Sequence, residues 1–237
     1  FPLIRFDLGK VFGGIVGESE RNIREALRVA EAVSPCILWI DEIEKGLSGS
    51  QSSGQTDGGV SSRVFGTFLT WMQEKTAPVF VLATSNNIEQ LPPEMLRKGR
   101  FDEIFFCDLP SEEIRKDIFK IHLSTHNKDN LRQFDLNRLA KVSALFSGAE
   151  IEQTVKDGMF TAFHNERNLV QQDVENAINE TYPLAKTMRE SITKMREWAS
   201  ARARLASSEN TESVDPTEDE RPVPRLKSER RNIFDEE

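Results

Sequence analysis

The stretch CILWIDEIEK, residues 36–45, sets four large apolar side chains directly ahead of Asp41, Glu42 and Glu44. Ile37, Leu38, Trp39 and Ile40 read as a strand buried on both faces, the habit of parallel sheets. A carboxylate leaving such a strand loses hydration and needs a cation or a donor in compensation. Hydrophobics followed by Asp-Glu form a Walker B pattern, and nucleotide hydrolysis is the chemistry that needs it. Asp41 would hold Mg2+ through its water shell, and Glu42 would polarise the attacking water. A buried strand can also end in acids that have no such role.

Working outward, strands are expected at "LIRFDL" (3–8), "VFVLAT" (79–84) and "EIFFCDL" (103–109). Ile23, Ala26, Leu27, Ala30 and Val33 recur at helical spacing, so 18–33 reads as an amphipathic helix; Val64, Phe68, Trp71 and Met72 mark another. Strands alternating with helices imply an α/β sandwich around a mostly parallel sheet. The Gly/Ser/Gln-rich segment 46–59 reads as a mobile surface loop.

After Pro110 only helices are expected, forming a small bundle over 110–182 that follows the α/β part, 1–109. Ser111 caps one, with Ile114, Ile118 and Ile121 on its inner face. Asp135 caps a second, "SGAE" (147–150) has capping-box form, and "QQDVENAI" opens a fourth. A helical extension over 183–206 carries the stripe Met188, Ile192, Met195 and Ala199. Its six basic residues, Lys186 to Arg204, suit packing on the bundle or a neighbour better than nucleic acid. The tail 207–237, rich in Pro, Ser and charge, reads as disordered.

Two more groups carry chemistry. Strand 79–84 delivers Asn86 at the C-terminal edge of the sheet, where open parallel sheets bind ligands, and an amide there can hold a γ-phosphate or the lytic water. It can equally be a turn-forming Asn. Arg97 and Arg100 flank Lys98-Gly99 before the last strand. A guanidinium grips phosphate with paired charge-assisted bonds, although ion pairs to Glu94, Asp102 or Glu103 would also account for them.

Composition narrows the class. The 237 residues are 38% hydrophobic and 30% charged, enough for one domain with a lid or two small domains. A net charge of −8 argues against a generic nucleic-acid or anionic-membrane binder. No apolar run approaches the ~20 residues of a membrane span, and no signal peptide is visible. Cys36 and Cys107 sit in strand-like runs as reduced core residues, pointing to the cytoplasm. His122 and His126, four apart, lack the third ligand that a metal site requires. The chain opens inside an apolar run without an initiator Met and reads as a piece of something longer.

In combination these elements resemble the AAA family of AAA+ ATPases. "GESERNIREALRVAEAVSPCILWIDEIEK" is similar to the family's stretch from first pore loop to Walker B, "ATSNNIEQLPPEMLRKGRFDEIFFCDLP" to its second region of homology, and "FSGAEIEQ" to its sensor 2 segment. Within the family the chain is most similar to a plastid and bacterial subgroup, the hypothetical chloroplast reading frame forty-six group. The resemblance implies a three-layer AAA+ core and a helical lid. It makes Glu42 the catalytic glutamate, Asn86 sensor 1, and Arg97 and Arg100 arginine fingers on ATP held by a neighbouring subunit. Gly148 and Ala149 would lie against the nucleotide, and Ile118 and His122 would border the adenine. It implies ATP and Mg2+ as cofactors, a homo-hexamer, and coupling of hydrolysis to remodelling of a macromolecule, a protein. A non-hydrolysing ATP-binding switch or scaffold, or a nucleic-acid-directed AAA protein, are the rival readings.

The chain departs from the family twice. Ile15, Val16 and Gly17 stand where the first pore loop usually offers an aromatic ahead of its hydrophobic and Gly, which weakens the case for threading of polypeptide. No G-x-x-x-x-G-K-[ST] occurs in residues 1–237. In the family the strand feeding that loop lies between those ending here at Thr84 and Leu109, so residues 1–237 alone are expected to leave two ladder edges unpaired and to be unstable.

Overall fold

The computed structural model describes residues 1–8, 18–46, 58–97, 99–126 and 131–207, with only the backbone of 58–62 and His126. The pore-loop residues Ile15, Val16 and Gly17, most of the expected surface loop (47–57) and the tail from 208 lie outside the described residues. Two compact units follow one another, Phe1–Ile104 and Phe105–Glu237.

In the first unit, β1 (Leu3–Phe6), β2 (Cys36–Ile40) and β3 (Val79–Ala83) form a parallel sheet in that order. The helices α1 (Glu18–Ala32) and α2 (Gly58–Glu74) are the crossovers between successive strands and pack on each other. Parallel neighbours require such crossovers, which explains the β-α-β-α-β order. Glu18 and Glu20 favour the N-terminus of α1 electrostatically, while Ile23, Leu27 and Ala30 are buried.

The register separates the two faces of the sheet. Leu38 and Ile40 point into a core shared with Phe6, Ile23, Leu27 and Phe68. On the other face the rows Leu3–Ile37–Phe80 and Arg5–Trp39–Leu82 run across all three strands. Phe80 is 66% exposed and Leu82 48%, while Ile37 and Trp39 are half-buried. The expectation that strand 36–40 is buried on both faces is therefore corrected. Among the described residues, both helices contribute to the core on one face, and an apolar run alone does not reveal how many layers cover it.

The last expected strand is also corrected. Only Phe105–Phe106 is extended (β4), and it belongs to the second unit, paired in parallel with Arg204–Leu205 (β5). Between them come α3 (Glu112–His126), α4 (Leu136–Val142), α5 (Gly148–His164), α6 (Gln171–Glu180), the short α7 (Leu184–Thr187) and α8 (Arg189–Arg202). The expected caps are present. Ile114 N donates to Ser111 Oγ (3.4 Å) and Arg138 N to Asp135 Oδ1 (3.0 Å), and Ser147 and Glu150 close a reciprocal box.

The inner face of α3 is rotated from the expected one. Phe119 and Leu123 are fully buried and Ile121 is 59% exposed. Arg115, 1% exposed, is satisfied in the interior by the carbonyls of Ala140 (3.0 Å) and Pro110 (2.8 Å). The basic extension packs within its own unit: Ala199 is buried, and Arg196 makes a forked pair at 2.8–3.1 Å with Asp108, whose side chain is 4% exposed.

Candidate functional site

The C-terminal ends of β2 and β3 stay together beyond the sheet. Thr84 N donates to Ile40 O (2.9 Å) and Ile43 N to Thr84 O (2.9 Å), which holds residues 41–44 against the exit of β3. The Thr84 hydroxyl donates to Asp41 Oδ1 (2.7 Å) and accepts from Glu42 N (3.0 Å). One side chain thus fixes the carboxylate of Asp41 and the backbone of Glu42. That backbone is left-handed, at φ 50°. The conformation costs a non-glycine residue about 1–2 kcal/mol and persists only where neighbours enforce it.

Glu42 itself is gripped twice. Asn86 Nδ2 donates to its Oε1 at 3.0 Å, and Lys45 Nζ lies 2.5 Å from its Oε2. The hydrogen bond from Lys45 to the Glu42 carboxylate holds the lysine above its usual range. Asn86 is tied down in turn: its backbone N–H donates to Oε1 of Glu44 (3.0 Å), and Glu44 is only 5% exposed. Arg5, stacked over the Trp39 ring at 5.2 Å, reaches within 3.7 Å of Asp41 Oδ2.

Asp41 and Glu42, both held by Thr84, and Asn86 on Glu42 are therefore brought to one edge of the sheet. The partly exposed carboxylates of Asp41 and Glu42 are oxygen donors of the kind that suits a hard cation such as Mg2+. The carboxylate of Glu42, oriented by an amide, suits taking a proton from water. Thr84, Glu44, Lys45 and Arg5 were not given roles from sequence. The only signal for Thr84 and Glu44 was their place, immediately beyond two neighbouring buried strands.

Arg97 and Arg100 sit on a turn built by Met95 N to Pro92 O (2.9 Å) and Leu96 N to Pro93 O (3.2 Å), anchored by fully buried Met95. Gly99 has φ 91°, a conformation glycine adopts without strain. Arg100 donates to the carbonyl of Glu94 rather than to its carboxylate. Arg97 is exposed, and among the described residues neither arginine bonds to Asp41, Glu42 or Asn86.

In the second unit, Gly148 opens α5 directly against Ile118, since a Cβ at Gly148 would lie 3.6 Å from Ile118 Cδ1. His122 is half-buried and Ala149 exposed. Glu150 does more than close the capping box. Its Oε2 accepts from Ser147 N (2.8 Å) and Oγ (2.7 Å), while Oε1 accepts from Leu184 N (2.7 Å), joining the start of the extension to the start of α5.

Residues 1–109 match the family described as ATPase family associated with various cellular activities (AAA). The chain is 54% identical over 207 residues to the "Uncharacterized AAA domain-containing protein ycf46" of Pyropia yezoensis, covering 87% of this chain and 42% of the relative. The protein of the same description from Trieres chinensis is 50% identical over 208 residues, covering 87% and 41%. The chain thus spans about two-fifths of the length of these relatives. The Cell division cycle protein 48 homolog of Archaeoglobus fulgidus is 29% identical over 185 residues, 76% of this chain and 25% of that one. Among solved structures, the FIGL-1 AAA domain in complex with ADP superposes with a TM-score of 0.69 at 18% identity, covering 84% of this chain and 69% of that chain. This last likeness concerns the fold.

Proposed function

Because the chain is an AAA protein of the ycf46-like group, we propose that the protein to which residues 1–237 belong hydrolyses Mg·ATP and uses the cycle to remodel a macromolecular substrate, a protein. The observation that carries this reading is the joined group at the ends of β2 and β3: Asp41 and Glu42 held by Thr84, with Asn86 on Glu42. Asp41 fits the water shell of Mg2+, which when bound supplies charge neutralisation on the phosphates. Glu42 Oε accepts the proton of the attacking water, and Asn86 keeps that carboxylate aimed. The chain shares its family with AAA ATPases, while a phosphate-cradling G-x-x-x-x-G-K-[ST] does not occur in residues 1–237, so the reading concerns the full-length protein.

Exposed Arg97 and the turn-held Arg100 suit action on ATP bound by a second subunit, and a homo-hexameric ring supplies one. In this reading Gly148 and Ala149 lie against the nucleotide and Ile118 and His122 border its adenine, supported by the closeness of Gly148 to Ile118. No helix among the described residues is long and apolar enough to cross a membrane.

The test is phosphate release from Mg·ATP by the full-length protein and its Glu42→Gln variant. Hydrolysis is expected to fall by roughly 10²-fold or more with ATP binding retained, because an amide cannot take the water's proton. A variant releasing phosphate at the wild-type rate would rule the reading out.

A further inference from the structure

We propose that Glu44 is a positioning residue for this hydrolysis, setting the backbone of Asn86 so that its side chain reaches Glu42; the inference rests on the ATPase reading above. At residue 86 the chain has left the sheet, and β2 has already ended at Ile40, so the Asn86 N–H has no ladder acceptor. Glu44 Oε1 takes that place at 3.0 Å. From the same residue, Asn86 Nδ2 spans 3.0 Å to Glu42 Oε1. Glu42 and Glu44 thus hold one asparagine by its amide side chain and its backbone, two residues apart on one turn.

Packing alone does not explain a carboxylate here. Glu44 is 5% exposed, and its second oxygen, Oε2, is buried without a hydrogen-bond partner among the described residues. A buried polar atom left unpaired is costly, and an apolar side chain of similar size would avoid that cost. What an apolar residue could not do is accept the Asn86 N–H. A shift of about 1 Å in a catalytic group can cost 10²-fold in rate, so fixing this backbone has a kinetic return that stability does not record.

The experiment compares Glu44→Leu, Glu44→Asp and Glu44→Gln with Glu42→Gln in the full-length protein, reading kcat, KM for Mg·ATP and Tm. Glu44→Leu is expected to lower kcat by about 10- to 100-fold, with KM within about threefold and Tm not lowered. Glu44→Asp, one methylene short of the Asn86 N–H, is expected to be slow as well and serves where the leucine variant does not fold. Glu44→Gln keeps an acceptor oxygen and is expected within about threefold of wild type. Wild-type kcat in Glu44→Leu or Glu44→Asp, with Glu42→Gln inactive, would overturn this inference alone. So would a Gln variant as slow as the Leu variant, or a loss in kcat accompanied by equal damage to KM and Tm. Full activity in Glu42→Gln would instead remove the ATPase reading on which it stands.

Discussion

Replacing Thr84 by valine removes one hydroxyl and with it two bonds, the donation to Asp41 Oδ1 (2.7 Å) and the acceptance from Glu42 N (3.0 Å). Both partners face water, the Asp41 side chain being 37% exposed, so solvent replaces much of what is lost. The stability cost is expected at about 0.5–1 kcal/mol, a Tm shift of about 1–4 °C. The effect on rate should be larger. Glu42 sits at φ 50°, a conformation that costs about 1–2 kcal/mol and is held in part through its N–H. If release lets the residue relax by that amount, the reactive arrangement is populated about 5- to 30-fold less often, and kcat falls accordingly. Steady-state phosphate release by the full-length protein measures this, with KM expected within about threefold. Thr84→Ser keeps the hydroxyl and should restore the rate. The reasoning is refuted if Thr84→Val turns over normally while Glu42→Gln does not, or if serine is as slow as valine.

Four further outcomes are expected. Arg97→Ala and Arg100→Ala should each cut hydrolysis while sparing ATP affinity, and mixing either with Glu42→Gln should partly restore activity, since some interfaces then pair an intact arginine with an intact Glu42; mixed rings without rescue would exclude action between subunits. In the second unit, Arg167 donates to both oxygens of Asp173 (2.6 and 2.7 Å) and holds it below its ordinary value of 3.8. Burial pushes Glu175 up, but hydrogen bonds from Gln171 and Arg138 outweigh it and leave the acid below 4.5. A depressed carboxylate stabilises the fold above its unfolded pKa and loses that contribution as pH falls through the folded one. Tm should therefore drop on acidification below about pH 4, and Arg167→Met, less stable than wild type at neutral pH, should show a smaller drop. Gly158→Ala would press a Cβ to 3.2 Å from Val174 N and 3.3 Å from the Asp173 carbonyl carbon, and is expected to destabilise by about 1–3 kcal/mol in a melting experiment. Gly148→Ala meets only Ile118 Cδ1 at an ordinary 3.6 Å and should melt like wild type.

What the sequence disclosed and what it withheld divide along physical lines. The caps at Ser111, Asp135 and Ser147 were legible because each bond joins residues three apart, so composition and spacing suffice. Asp41 and Asn86 were legible because each follows a buried strand, and parallel strands deliver their ends to one edge. Thr84 and Glu44 became visible only once the register of β2 against β3 was known, since each acts across that pair at a separation of 42 or 43 residues. The partner of Phe105–Phe106 lies about a hundred residues on, at Arg204–Leu205, and nothing local marks it. The α3 face was misjudged because Ile114 and Ile118 share the helical period of Arg115 and Phe119, one residue round, and a buried arginine looks like a surface residue until its carbonyl partners are seen.

The open face of the first unit has a practical consequence for anyone handling this stretch of chain. Beside β2 on one side, β3 has no strand on its other side among the described residues, and it carries Phe80 and Leu82 bare next to that free edge. An edge strand with exposed apolar side chains is a template on which another chain can pair its own backbone. Residues 1–237 expressed alone should accordingly associate as concentration rises, with light scattering and extended-strand infrared absorbance growing together. A charged residue at position 80 or 82 should act as a gatekeeper and keep the material in solution.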